Sequence, residues 1–214
     1  MDLIVVGAST LGRDAIAVAR AQGKFSVVGI VDDDPGRASI VDGVPVLGPI
    51  DTLAPLFAQV DGYAVIVAIG DCRSRYAVYN RIVRSIPTIR FATIIHPRAT
   101  LLGDARVDDG SILFPGVVLG PGSHVGLSSV LNANSTIGAG TRLGGFVSIA
   151  PGVNLGSDTV IGTGVYFGMG SAVAQQIHIG DWCTIGALSF VRRDTPPGSL
   201  IVGSPGKVKK ERPT

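Results

Sequence analysis

Only two cysteines occur in the 214 residues, Cys72 and Cys183, and they stand at no metal-binding or redox spacing. Both thiols are therefore expected to stay reduced. Histidine is nearly as scarce, at His96, His124 and His178 alone. The net charge of +2 is too small to argue for a nucleic-acid partner. No cluster of basic residues precedes the tail Lys207, Lys209, Lys210 and Arg212, which reads as a solvated terminus. No signal peptide opens the chain, and no apolar run reaches membrane-spanning length. The expectation is a cytoplasmic protein without a membrane partner.

What the chain has in quantity is turn chemistry, with 30 Gly and 13 Pro in a sequence that is still 46% hydrophobic. From Ala99 to Asp194 it repeats every six residues without an insertion. Taking every sixth residue from Leu101 gives Val107, Leu113, Leu119, Val125, Leu131 and so on to Val191, all large and apolar. Two places earlier stands a small or β-branched residue, as at Ser111, Ser129 and Thr141, and in nine of sixteen hexads the next residue is Gly. A short fixed period signals a solenoid, in which each repeat buries its apolar side chain only by stacking on neighbours.

One strand per hexad and three hexads per coil predict a triangular, left-handed parallel β-helix, an exception to the right-handed crossover preference. Its interior would hold the large residues, and its turns would use the following glycines. A β-sandwich is the alternative, but it does not keep a six-residue register over sixteen repeats. At about 4.8 Å per stacked strand, a little over five coils make a prism roughly 25 Å tall. His124 and His178 are 54 residues apart, three coils, so they lie about 14 Å apart on one face. They cannot converge on a metal as zinc ligands must, and no metal is expected.

The residues before the hexads alternate strand and helix. Leu3–Val6, Ser26–Val31, Ala64–Ile69 and Arg90–Ile95 read as strands, Gly12–Gln22 and Arg73–Ser85 as helices. Continuous apolar strands between helices predict a small parallel α/β sheet, Rossmann-like in type. The expected division is a nucleotide-binding domain at 1–96, the β-helix at 97–194 and a tail at 195–214. The first strand runs into Gly7-Ala8-Ser9-Thr10-Leu11-Gly12, a dinucleotide-type turn with Ser9 in place of the middle glycine. N–H groups there favour a phosphate, which makes Ser9, Thr10, Leu11, Gly12 and Arg13 candidate ligands. Asp32 and Asp33, at the end of the second strand, are candidates for a ribose or base, and Gly70 borders the same crevice. Arg13, Arg73 and Arg75 could hold phosphates. A domain this small suits a single nucleotide better than NAD.

Five segments carry a family resemblance: Gly7-Ala8-Ser9, Ala68-Ile69-Gly70-Asp71, Ile95-His96-Pro97, Ile149-Ala150-Pro151-Gly152 and Val202-Gly203-Ser204-Pro205-Gly206-Lys207. Together they resemble the acyl-CoA-dependent sugar O- and N-acyltransferases of the hexapeptide-repeat family, the sialic-acid O-acetyltransferase and bacillosamine and perosamine N-acetyltransferase type. The resemblance covers nearly the whole chain. It implies a homotrimer with acetyl-CoA or another acyl-CoA between neighbouring prisms, and a nucleotide sugar as acceptor.

The resemblance also implies a histidine base followed by an orienting acid, and here the chain departs from the pattern. The base position is Ala139 and the acid position is Gly140. A second histidine position, against acyl-CoA, falls on Ser148, and the glycine-loop histidine falls on Leu11. The remaining acyl-CoA contacts fall on Met169 and Ala187, and Asn132 becomes a positioning candidate for the acceptor. His124, one coil below Arg142 and just round a corner from Ala139, is the fallback base. The expected activity is acyl transfer to an amino or hydroxy group; the alternative is a catalytically silent relative that binds a ligand or partner.

Overall fold

The computed structural model describes residues 1–34, 36, 38–59 and 62–211, in two compact units, Met1–Pro97 and Arg98–Thr214. Arg212 of the basic tail lies outside the described residues.

The first unit is a parallel sheet with helices. Its strands are β1 (Asp2–Val6), β2 (Ser26–Val31), β3 (Ile40–Val41), β4 (Val44–Gly48) and β5 (Tyr63–Val67), in the order β3-β4-β2-β1-β5. Its helices are α1 (Thr10–Gln22), α2 (Leu53–Gln59) and α3 (Cys72–Ser85). Central β1 pairs in parallel with β2 at one edge and β5 at the other, and side-chain packing covers both its faces. That is why Leu3, Ile4, Val5 and Val6 form an unbroken apolar run, each at most 1% exposed. Each such side chain removed from water contributes about 1.5–3 kcal/mol. One layer of the core joins Ile4, Val6, Val31, Val65 and Val67 to Ile50, Leu53 and Ile82.

The antiparallel pair β3–β4 and helix α2 are additional to the elements read from the sequence. Asp42 and Gly43 between β3 and β4 both have positive φ, at 47° and 78°. Aspartate–glycine in that conformation is the favoured two-residue hairpin turn. The segment read as a strand at Arg90–Ile95 makes only a single bridge to β5, Phe91 with Val65, and is a strand at Ile94–Ile95 alone.

The second unit is a left-handed parallel β-helix of two-residue strands. Each two-residue strand from Thr100 to Ala172 pairs with the one eighteen residues later, as Val118 does with Thr136 and Thr136 with Asn154. The first sheet of the prism carries Thr100, Val118, Thr136, Asn154, Ala172 and Phe190 facing out. The second carries Arg106, His124, Arg142, Val160 and His178, and the third includes Ile112, Val130, Ser148, Tyr166 and Thr184. The sixth-place residues point in: Leu113, Leu119, Val125, Leu131, Ile149 and Phe167 are fully buried. Several of the small residues beside them hide their hydroxyls by donating to corner carbonyls, as Ser123 Oγ does to Gly120 O at 2.6 Å and Thr141 Oγ1 to Gly156 O at 2.8 Å.

The turns differ from the expectation. The glycine after each interior residue does not make the corner; the left-handed residue comes two places later, at Gly122, Ser128, Asn134, Gly140, Phe146, Gly152 and Asp158. The earlier glycine is required by stacking. A Cβ on Gly138 would lie 2.5 Å from the Ser157 backbone nitrogen in the next coil. The segment read as a tail also folds onto the prism. Ser199–Val202 pairs with Thr184–Ile185, and Lys207–Glu211 returns antiparallel against it.

Candidate functional site

In the first unit, strand order reverses around β1, and the crevice at a reversal point is where open α/β sheets bind ligands. Gly7 ends β1 with φ +110°, and a Cβ there would meet the Ala68 carbonyl oxygen at 2.8 Å. A Cβ on Gly12 would collide with the Gly7 carbonyl oxygen. The two glycines therefore let α1 start directly against the strand end. Ser9 caps α1 in extended conformation without a side-chain bond to the helix. The first N–H groups of α1, on Thr10, Leu11 and Gly12, belong to its opening turn, where an anion is stabilised.

Asp32 reaches this loop: its Oδ2 accepts the Ala8 N–H at 2.6 Å and its Oδ1 the Asp34 N–H at 2.8 Å. Asp33 is turned to another task. It accepts from Ile50 N–H and forms an ion pair with Arg81 at 2.6 Å. The Arg13 guanidinium pairs with Asp42 at 3.1 Å. Arg75 is wholly buried and donates to the carbonyls of Ile69 and Gly70 at 2.6 and 3.1 Å. Burial lowers its affinity for its proton. It braces the loop from below and offers nothing to a phosphate, contrary to the sequence reading. Asp71 caps α3 by accepting from Ser74 N–H and Oγ, which holds its carboxyl below the usual range.

On the prism, the candidates divide between two corners and a face. Ala139 and Gly140 form the corner between the first and second sheets, stacked on Pro121 and Gly122 by Gly140 N–H to Pro121 O. Asn132, Met169 and Ala187 lie at or beside the corner between the third and first sheets. Ser148 is on the third sheet, 6% exposed. Met169 is 61% exposed and Leu188, which donates its N–H to Met169 O, is 76% exposed with φ +56°. The Asn132 side chain donates to Ile149 O, so it braces its own corner.

The comparisons with known proteins match this geometry. Residues 2–82 match the PglD N-terminal domain family. A His-to-Asn variant of perosamine N-acetyltransferase from Caulobacter crescentus, solved with CoA and GDP-perosamine, is 29% identical with a TM-score of 0.90, over 98% of this chain and 97% of that one. The acetyltransferase domain of PglB from Neisseria gonorrhoeae, solved with acetyl coenzyme A, is 28% identical with a TM-score of 0.86, over 97% of this chain and 98% of that one. WeeI from Acinetobacter baumannii, 22% identical, shares the fold, with a TM-score of 0.83 over 98% of this chain and 100% of that one. None of the curated proteins matches.

Over almost its whole length the chain shares the fold of hexapeptide-type sugar N-acetyltransferases.

At Ala139, where the sequence reading expects the base position, the chain presents only an exposed methyl. His178 is exposed, and its backbone N–H donates to Asp194. His124 has a carboxylate partner: its Nε2 lies 2.8 Å from Asp108 Oδ1. Sequence reasoning missed Asp108. Its signal was its place after Val107, where most hexads carry Gly. No group of three or more His, Cys, Asp or Glu among the described residues could hold a metal ion. No helix among them is long and apolar enough to cross a membrane.

Proposed function

We propose that this chain transfers an acyl group, most simply acetyl, from acyl-CoA to an amino or hydroxy group of a nucleotide sugar. The observation that carries the reading is the match over 98% of the chain to an N-acetyltransferase solved with both CoA and GDP-perosamine. The Gly7–Gly12 loop, with helix N–H groups and a carboxylate beside it, suits one nucleotide diphosphate. Acyl-CoA would lie along the prism by Ser148, Met169 and Ala187, mostly on backbone groups, and Asn132 would shape the acceptor side.

In the reading, the site needs more than one copy. Ala139 stands at one corner and Met169 and Ala187 at another, with the first sheet between them. A homotrimer brings unlike corners of neighbouring prisms face to face, and the thioester would lie in that cleft. Aminolysis there draws much of its acceleration from alignment of amine and thioester carbonyl. Two buried free cysteines suit the cytoplasm, where both substrates occur.

The loss of side-chain chemistry at Ala139 and Gly140 favours a second reading, a silent relative that binds a ligand or partner without turnover. Calorimetric titration with acetyl-CoA separates the two. Micromolar binding at one site per chain supports the transferase. No heat and no thermal stabilisation at millimolar acetyl-CoA would leave the silent relative.

A further inference from the structure

We propose that His124, oriented by Asp108, is the general base of the acyl transfer and replaces the side chain that Ala139 lacks. The inference rests on the acyltransferase reading above and adds to it a named proton acceptor.

Three observations carry it. First, His124 Nε2 and Asp108 Oδ1 are 2.8 Å apart, with both side chains just under half exposed, at 43% and 46%. A carboxylate at that distance fixes the ring and stabilises the imidazolium that forms on protonation. With Nε2–H donated to Asp108, the lone pair for chemistry is on Nδ1.

Second, the coil that carries His124 is stitched to the coil that carries Ala139 on both sides of the corner. Gly140 N–H donates to Pro121 O at 2.9 Å, three residues before His124. His124 N–H donates to Thr141 O at 2.9 Å, two residues after Ala139. One strand spacing plus that short stretch of chain sets the two Cα atoms about 10 Å apart. The two positions therefore border the same corner of the prism.

Third, the surrounding charge is ordered. Arg106 below and Arg142 above face outward in register with His124. Asp104 sits at the preceding corner, where its carboxylate accepts the Gly122 N–H at 2.7 Å. The outward column thus sets His124 between two arginine positions, with the Asp108 carboxylate as a side-chain partner.

The step balances without a further reactant. The acceptor amine attacks the thioester carbonyl carbon, the C–N bond forms and the C–S bond breaks. Nδ1 of His124 takes the proton from the attacking nitrogen and returns it to the CoA sulfur, which leaves as the thiol.

The test measures thiol release from acetyl-CoA with GDP-perosamine as acceptor, between pH 5 and 9, for the parent, His124→Gln, His124→Ala and Asp108→Asn. Glutamine keeps a hydrogen-bond donor for Asp108 but has no titrating nitrogen. Expected is a fall in kcat of about 10²–10⁴-fold for both His124 variants with KM for acetyl-CoA unchanged, and loss of the acidic limb of the pH–rate profile. Asp108→Asn keeps part of the rate and moves that limb to lower pH, because the imidazole loses a carboxylate that favours its charge. Parental kcat and an intact limb in His124→Gln would overturn the dyad and leave the acyltransferase standing. No thiol release by the parent would overturn the acyltransferase reading itself.

Discussion

The Ala8 N–H donates to Asp32 Oδ2 at 2.6 Å, so the carboxylate that ends β2 holds the loop that ends β1. One of the loop's donors is thereby spoken for, and the remaining opening-turn N–H groups of α1 are directed past it. Asp32 shapes the crevice at the end of β1, whereas its neighbour Asp33 ties the chain at Ile50 to α3 through Arg81.

Replacing each aspartate should therefore give different results. Asp32→Ala should weaken GDP-perosamine binding about 3- to 10-fold, the worth of one charge-assisted loop contact. Asp33→Ala should leave that affinity unchanged and lower stability by about 1 kcal/mol, since its ion pair is partly exposed. Calorimetric titration and urea unfolding of both variants check the contrast.

Two glycines of the prism should respond in the opposite order to their conformations. Gly152 has φ +70° and open space around its missing Cβ, while Gly138 has no positive φ but no room above it. Gly138→Ala should cost about 3 kcal/mol through coil separation. Gly152→Ala should cost about 1 kcal/mol, and Gly152→Asn less, because Asn134 already adopts that conformation. Chemical unfolding midpoints compare the three.

The effect of placing a histidine at the position that the resemblance assigns to the base should depend on which residue is changed. Ala139→His should raise kcat for acetyl transfer about tenfold or more if the cleft accepts both substrates. Adding Gly140→Asp should undo part of the gain and lower stability. A Cβ on Gly140 would collide with Asp158 Oδ1, and the new carboxylate would face that of Asp158. Thiol-release kinetics of the single and double variants decide it.

Asp71 gives a pH-dependent prediction. Its carboxyl titrates below the ordinary value because Ser74 donates to the charged form through both hydroxyl and N–H. The folded state thus favours the carboxylate, and the stabilisation is present at neutral pH. It is lost as pH falls through the ordinary carboxylate range toward the lower folded value. Asp71→Ala should cost about 1 kcal/mol at pH 7. The gap from the parent should close in unfolding experiments at progressively lower pH.

The prism was legible because its period needs no tertiary information: the interior position recurs every six residues from Leu113 to Val191 whatever surrounds it. The turn glycines were misassigned because sequence alone cannot separate a glycine needed for its φ, such as Gly140, from one needed for clearance, such as Gly138. The β3–β4 hairpin carried a readable signal, Asp42-Gly43, but β3 has only two residues and β4 contains Pro45, so alternation does not register. The crevice was legible in outline through Gly7, Gly12 and Asp32. Arg75 was misread because nothing in the local sequence reveals that its guanidinium turns inward. Asp108 escaped because its partner is sixteen residues away, a separation that becomes contact only after the coil closes.

The eighteen-residue repeat sets a rule for length variation. A residue inserted within a coil would turn every later interior side chain toward solvent unless a corner absorbed it as a loop. Whole added or deleted turns, by contrast, leave each outward column intact and move only the distance between features on it. Arg106, His124, Arg142 and Val160 stand on such a column, one turn apart. The height of the prism can therefore change in discrete steps, while the ranks on either side of any step keep their spacing.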